Sequence, residues 1–300
     1  MRFSTTLVIA MLGLAATHTP ASAQPQYRIT AGGNQSWTPQ GGFDLTSTNP
    51  LERHDVLIDP YSATEVSVKA QPGLVGALLS GEFASPGETR SIGPSVNAVS
   101  RGELVFVGPT PSVTTRANIY FDGDLSFVLD PPAALLASDI GMRFQLFAGP
   151  SFSELDVLIG QSTNTAVRRN DFSGLAINVS GSTASIDGTG QTSEFTVPVG
   201  TPVEVIFLLT LFSNQLASGS PGEARFNGDF FNTISFATDS PVFDLPEGYS
   251  VNGAGIINNR FEVDEVPPGT VPEPGTVLLL AIALLALLWT KVPAARASSV

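Results

Sequence analysis

Outside the extreme N-terminus the chain has a single histidine, His54, which sits beside Asp55 in a sequence rich in serine. Imidazole, carboxylate and hydroxyl together could form a nucleophilic hydrolase constellation. Two features oppose that reading. No G-x-S-x-G elbow occurs, and neighbours on a strand point to opposite faces, so His54 and Asp55 would diverge. Asp122 and Asp124 flank Gly123 and could share a cation or straddle a glycosidic bond. An Asp-Gly turn accounts for the same residues more simply, and Asp187-Gly188-Thr189-Gly190 reads as a second turn. For sugars, the aromatic platform would be Trp37, in the apparent loop Asn34-Gln35-Ser36-Trp37-Thr38-Pro39, with Tyr61 and Tyr120 as further contributors. A lone loop tryptophan more often packs on its own domain, so Trp37 is held only as the candidate glycan contact.

Absences narrow the chemistry further. The 300 residues contain no cysteine, which removes disulfides, thiolate metal sites and a cysteine nucleophile. With one histidine left, histidine-rich metal centres are also excluded, and no metal or other cofactor is expected. Neither G-x-x-x-x-G-K-[ST] nor G-x-G-x-x-G is present, so no phosphate-cradling loop is indicated. The expectation is a protein that is not an enzyme.

The elements available to position such residues read as strands. Ala63–Lys69 alternates, with Val66 and Val68 on one face. Leu104–Val107 is a short apolar run ended by Gly108-Pro109. Ala117–Leu129 reads as a hairpin turning at Asp122-Gly123-Asp124. Met142–Phe147, Leu175–Val179 and Glu194–Val197 continue the pattern, and Val203–Leu209 looks like a central strand. Helical periodicity is scarce, with one short helix expected over Pro132–Ile140. Many short strands separated by Gly, Pro, Asn, Asp and Ser indicate an all-β fold, a single jelly-roll-like β-sandwich. No period of 20–50 residues stands out, so no repeat array is read.

Both ends carry apolar runs of a different kind. Arg2, the uncharged stretch Leu7–Ala16 and Ala21-Ser22-Ala23 have the three parts of a secretory signal peptide, with Gln24 as the new N-terminus. At the other end, Gly275–Trp289 is uncharged, preceded by Pro272-Glu273-Pro274 and followed by Lys291 and Arg296. As a helix this run spans about 22 Å, short of the roughly 30 Å hydrocarbon core; a snorkelling Lys291 and a locally thinned bilayer can make up the difference. The basic residues after it place the tail in the cytoplasm and the bulk of the chain outside. The leader demands the same orientation.

The expected organisation is therefore a signal peptide over 1–23 and an acidic β-sandwich over 24–262. A proline-rich linker follows over 263–275, then a transmembrane helix over 276–290 and a basic tail over 291–300. Setting aside Arg2, Glu273, Lys291 and Arg296 leaves 11 of the 14 bases and 26 of the 27 acids. A net charge near −15 argues against nucleic acid and anionic membrane surfaces as partners.

The Pro-Glu-Pro triplet, apolar helix and basic tail resemble the PEP-CTERM sorting signal. That signal occurs on exported proteins of Gram-negative bacteria that also make exopolysaccharide. The resemblance implies an exosortase as the processing partner, with Pro272, Glu273 and Pro274 as recognition residues and the helix as the element held in the inner membrane. The family's tail is usually a compact arginine run; here Lys291 and Arg296 are separated by Val292-Pro293-Ala294-Ala295. The residues Asp229–Phe236 and Pro241–Tyr249 also resemble the last strands of the secreted sandwich domains that precede such signals. Together these features imply an anchored, then released, surface or matrix protein with a structural or adhesive role in exopolysaccharide. A carbohydrate-binding module is the alternative, and a secreted hydrolase a distant third.

Overall fold

The computed structural model describes residues 24–33, 39–87, 89–130, 135–160, 166–218 and 221–262. The leader, Trp37, the Pro-Glu-Pro triplet, the apolar run, Lys291 and Arg296 lie outside the described residues. Among those described, every regular element is a strand, and no helix is long and apolar enough to cross a membrane.

Two large antiparallel sheets dominate. The first runs, in spatial order, β12 (Ala166–Asn170), β11 (Ser151–Gly160), β10 (Leu135–Ala148), β16 (Pro202–Ser218), β7 (Ser95–Val107), β1 (Gln26–Gly32) and β2 (Phe43–Ser47). Strand β6 (Thr89–Ile92) extends it beside β16, and β18 (Ser250–Asn252) beside β7. The second runs β13 (Ala176–Ser180), β14 (Thr183–Gln191), β9 (Asn118–Asp130), β17 (Pro221–Phe236), β5 (Leu74–Pro86), β4 (Ser62–Gln71) and β3 (Leu51–Asp59). Two ribbons complete the set: β8 (Ser112–Thr115) with β15 (Phe195–Pro198), and β19 (Ile256–Ile257) with β20 (Arg260–Phe261).

The large sheets pack face to face, with β16 against β5, β7 against β4 and β5, and β10 against β9 and β17. Alternation makes this possible. Along β16, Val203, Val205, Phe207, Leu209 and Leu211 are buried, while Glu204 and Asn214 between and beyond them are exposed. Phenylalanines bridge the layers edge-on: Phe121 meets Phe144 at 5.3 Å and Phe207 meets Phe236 at 4.8 Å. Each such pair adds about 0.5–1.5 kcal/mol beyond its area burial. Phe172 closes one flank on Phe121, and Phe243 packs against Phe106 and Phe236 elsewhere in the same core.

Three local expectations are corrected. Ala117–Leu129 is no hairpin: β9 runs straight through Asp122-Gly123-Asp124, pairing with β14 on one side and β17 on the other. Gly123 has no left-handed φ. Its missing side chain is needed because a Cβ there would lie 2.4 Å from the Asp229 carbonyl oxygen and the Phe230 ring. Asp187–Gly190 likewise stays within β14; the turn between β13 and β14 is at Gly181, φ 56°. The helix expected over Pro132–Ile140 is a strand from Leu135 onward, because the long β16 offers it a ladder from Leu135↔Ala217 to Ala148↔Val205. Nine residues of weak helical pattern do not compete with that pairing.

The last described strands, over residues 256–261, act as a clasp. Asn258 and Asn259, with φ of 50° and 63°, make the tight turn of the β19–β20 ribbon. The Asn259 amide accepts from the Phe243 N–H at 2.9 Å and donates to the Phe243 carbonyl at 2.8 Å. Thus the last described residues are tied back to the aromatic core.

Candidate functional site

The outward face of the second sheet gathers most of the chemistry-bearing side chains. Because antiparallel register places partners side by side, its rows can be followed across the strands. One row reads Ile58, Ala63, Glu82, Arg225, Val128 from β3 to β9. The next reads Val56, Glu65, Ser80, Asn227, Ser126. Short side chains at Ala63, Ser80 and Ser126 lie between the longer Glu65, Glu82 and Arg225. These rows enclose an open hollow of about 530 Å³. A second hollow, about 340 Å³, shares Ala63 and Glu82 with it and continues to Tyr61 at the β3–β4 turn. That turn is held by the Asp59 carboxylate, which accepts from the Tyr61 N–H at 2.6 Å.

Arg225 is only loosely paired, at 3.8 Å from Glu82 and 3.5 Å from Glu223, with all three side chains well exposed. Such pairs are worth about 0–1 kcal/mol, so the guanidinium can be redirected cheaply. Val56, Ile58 and Val128 are 44%, 50% and 60% exposed, an apolar share that this face does not bury.

A third row continues His54, Ser67, Leu78, Asp229, Asp124 and Ser185. Asp122 stands opposite Asp187 one step further along. Burial holds the Asp124 carboxyl above the usual carboxylate range. Asp229 and Asp122 add to the rise, while an Asn227 amide 3.3 Å away opposes it. The Tyr120 hydroxyl is also raised, by burial first and then by Asp122, Asp187 and Asp239. Among the described residues, no three His, Asp or Glu side chains come together in a way that could hold a metal ion.

His54 and Asp55 diverge as the alternation requires. His54 meets Ser67 instead, its Nδ1 in a short contact with the Ser67 Oγ, and its Nε2 lies 3.6 Å from Glu52. Carboxylate, imidazole and hydroxyl therefore do line up, in a combination the sequence did not suggest. Ser67 is only 4% exposed and lies mid-strand in β4, which is paired on both sides. Its backbone environment therefore offers no free N–H pair for an oxyanion. Neither hollow on this face reaches it. Phe231 covers the imidazole at 5.4 Å and also stacks under the Lys69 ammonium at 4.8 Å. Burial lowers the Lys69 pKa, and Glu52 partly restores it.

The groups that sequence reasoning missed are those of the hollow: Ser80, Ser126, Asn227 and Arg225, on three strands. Of the aromatic residues expected to contribute, Tyr61 lies beside it and Tyr120 on the acidic side of the same sheet. Trp37, outside the described residues, is not placed. Comparison with known proteins adds one finding. Residues 270–291 match the PEP-CTERM protein-sorting motif, a stretch that contains Pro272, Glu273, Pro274 and Lys291 and stops short of Arg296. No curated protein matches the chain.

Proposed function

We propose that this PEP-CTERM protein is exported, held in the inner membrane by its C-terminal apolar helix and released by an exosortase to the cell surface or matrix. There its β-sandwich serves a structural or adhesive role in surface polysaccharide, without turnover of a substrate. The observation that carries the reading is the sorting motif at 270–291, a few residues beyond the last described residue of the all-β domain, Glu262. Pro272 and Pro274 keep the backbone extended and stop the helix from beginning early, which leaves an accessible segment just outside the bilayer. Lys291 and Arg296 remain on the cytoplasmic side.

Fractionation of the native host tests this. Replacing Pro272-Glu273-Pro274 with three alanines should trap the chain in the membrane fraction, while wild type leaves it. Equal distribution of the two would reduce the C-terminus to a plain anchor. The second reading, a carbohydrate-binding module, is favoured by the amphipathic hollow on the second sheet.

A further inference from the structure

We infer that the hollow crossing β9, β17, β5, β4 and β3 is a binding site for an uncharged glycan chain. The inference rests on the reading that the exported domain resides in polysaccharide, and it names the surface and the ligand class. Four inter-strand gaps at about 4.8 Å give the trough a length of roughly 19 Å, room for several sugar rings in a row. Its larger hollow, about 530 Å³, lies in the size range of ligand sites.

The lining offers both partners a hydroxyl-rich chain requires. Arg225 and Asn227 donate, Glu65 and Glu82 accept, and Ser80 and Ser126 can do either. Val56, Ala63 and Val128 present aliphatic surface to the C–H faces of the rings. Charge then selects among glycans. Glu65, Glu82 and Glu223 outnumber Arg225, and the next row brings Asp124 and Asp229. A polyanionic chain would be repelled; a neutral one would meet hydrogen-bonding groups already held by a rigid sheet.

The exported wild-type protein, purified from its host, is run in native gels containing the host's own surface polysaccharide, split by anion exchange into neutral and acidic fractions. Retardation by the neutral fraction is expected, with the paired substitutions Arg225→Ala and Asn227→Ala weakening it about tenfold or more. Ser126→Phe, which fills the trough from a half-buried position on its outward face, should do the same with the fold retained in circular dichroism. Glu103→Gln, on the other sheet, should change nothing. Retardation by the acidic fraction or by added polylysine in preference to the neutral one would overturn the ligand class. Binding indifferent to all three trough substitutions would overturn the site while leaving the adhesive reading intact. No retardation by either fraction, with the protein still recovered from the matrix, would overturn the inference alone; absence from the matrix would sink the broader reading.

Discussion

Asp229 stands directly opposite Asp124 in the β17–β9 ladder, on the outward face of the second sheet. Burial is the main cost of ionising Asp124, and the like charge placed opposite it adds to that cost. Folding therefore raises the Asp124 carboxyl above its unfolded value. A carboxyl whose pKa is raised on folding contributes stability at low pH, below its unfolded value near 3.9, and loses it as pH rises through the folded value. Asp124→Asn should raise the melting temperature at pH 7, by about 2 °C, and leave it unchanged near pH 3. Thermal melts at the two pH values decide it, and an equal effect at both would exclude the electrostatic cause.

The same acidic rows bear on metal dependence. Since no group of three ligating side chains gathers among the described residues, calcium or EDTA should leave the melting temperature essentially unmoved. A drop of many degrees with EDTA would reveal a bound ion, because ligand removal lowers stability by mass action.

Gly76 and Gly181 should respond to the same substitution very differently. A Cβ on Gly76 would fall 1.8 Å from the Phe231 carbonyl oxygen, where β17 bulges over β5. Gly76→Ala should cost more than about 3 kcal/mol and deplete soluble protein. Gly181, with φ 56° and open space around it, should cost about 1 kcal/mol as alanine. Denaturant titration of the two variants measures the contrast.

Asn259 carries both a left-handed backbone and two hydrogen bonds to Phe243. Asn259→Ala should lose about 2–3 kcal/mol, and Asn259→Gly, which keeps the backbone freedom, about 1 kcal/mol less. Equal losses would assign the whole effect to the hydrogen bonds.

Strand content was legible wherever alternation was strong, as in Val203–Leu209, whose inward residues form the core of β16. Asp-Gly pairs misled because the same dipeptide suits a tight turn and a crowded strand. What distinguishes them at Gly123 is a carbonyl from Asp229, a residue more than a hundred positions away. The helix expected at Pro132–Ile140 failed for a related reason: the ladder partner supplied by β16 is remote in sequence. The trough was illegible because Ser80, Ser126 and Asn227 form no local motif and meet only through register. The sorting segment was the opposite case, since a proline pair, an apolar run and a base are all read along one short stretch.

The most direct test of the account is the intact mass of the protein recovered outside the cells of its native host. It should correspond to a chain beginning at Gln24 and ending within Val271–Gly275, so that leader, helix and basic tail are all absent. A mass retaining everything through Val300, found only in membranes, would contradict release by the sorting machinery.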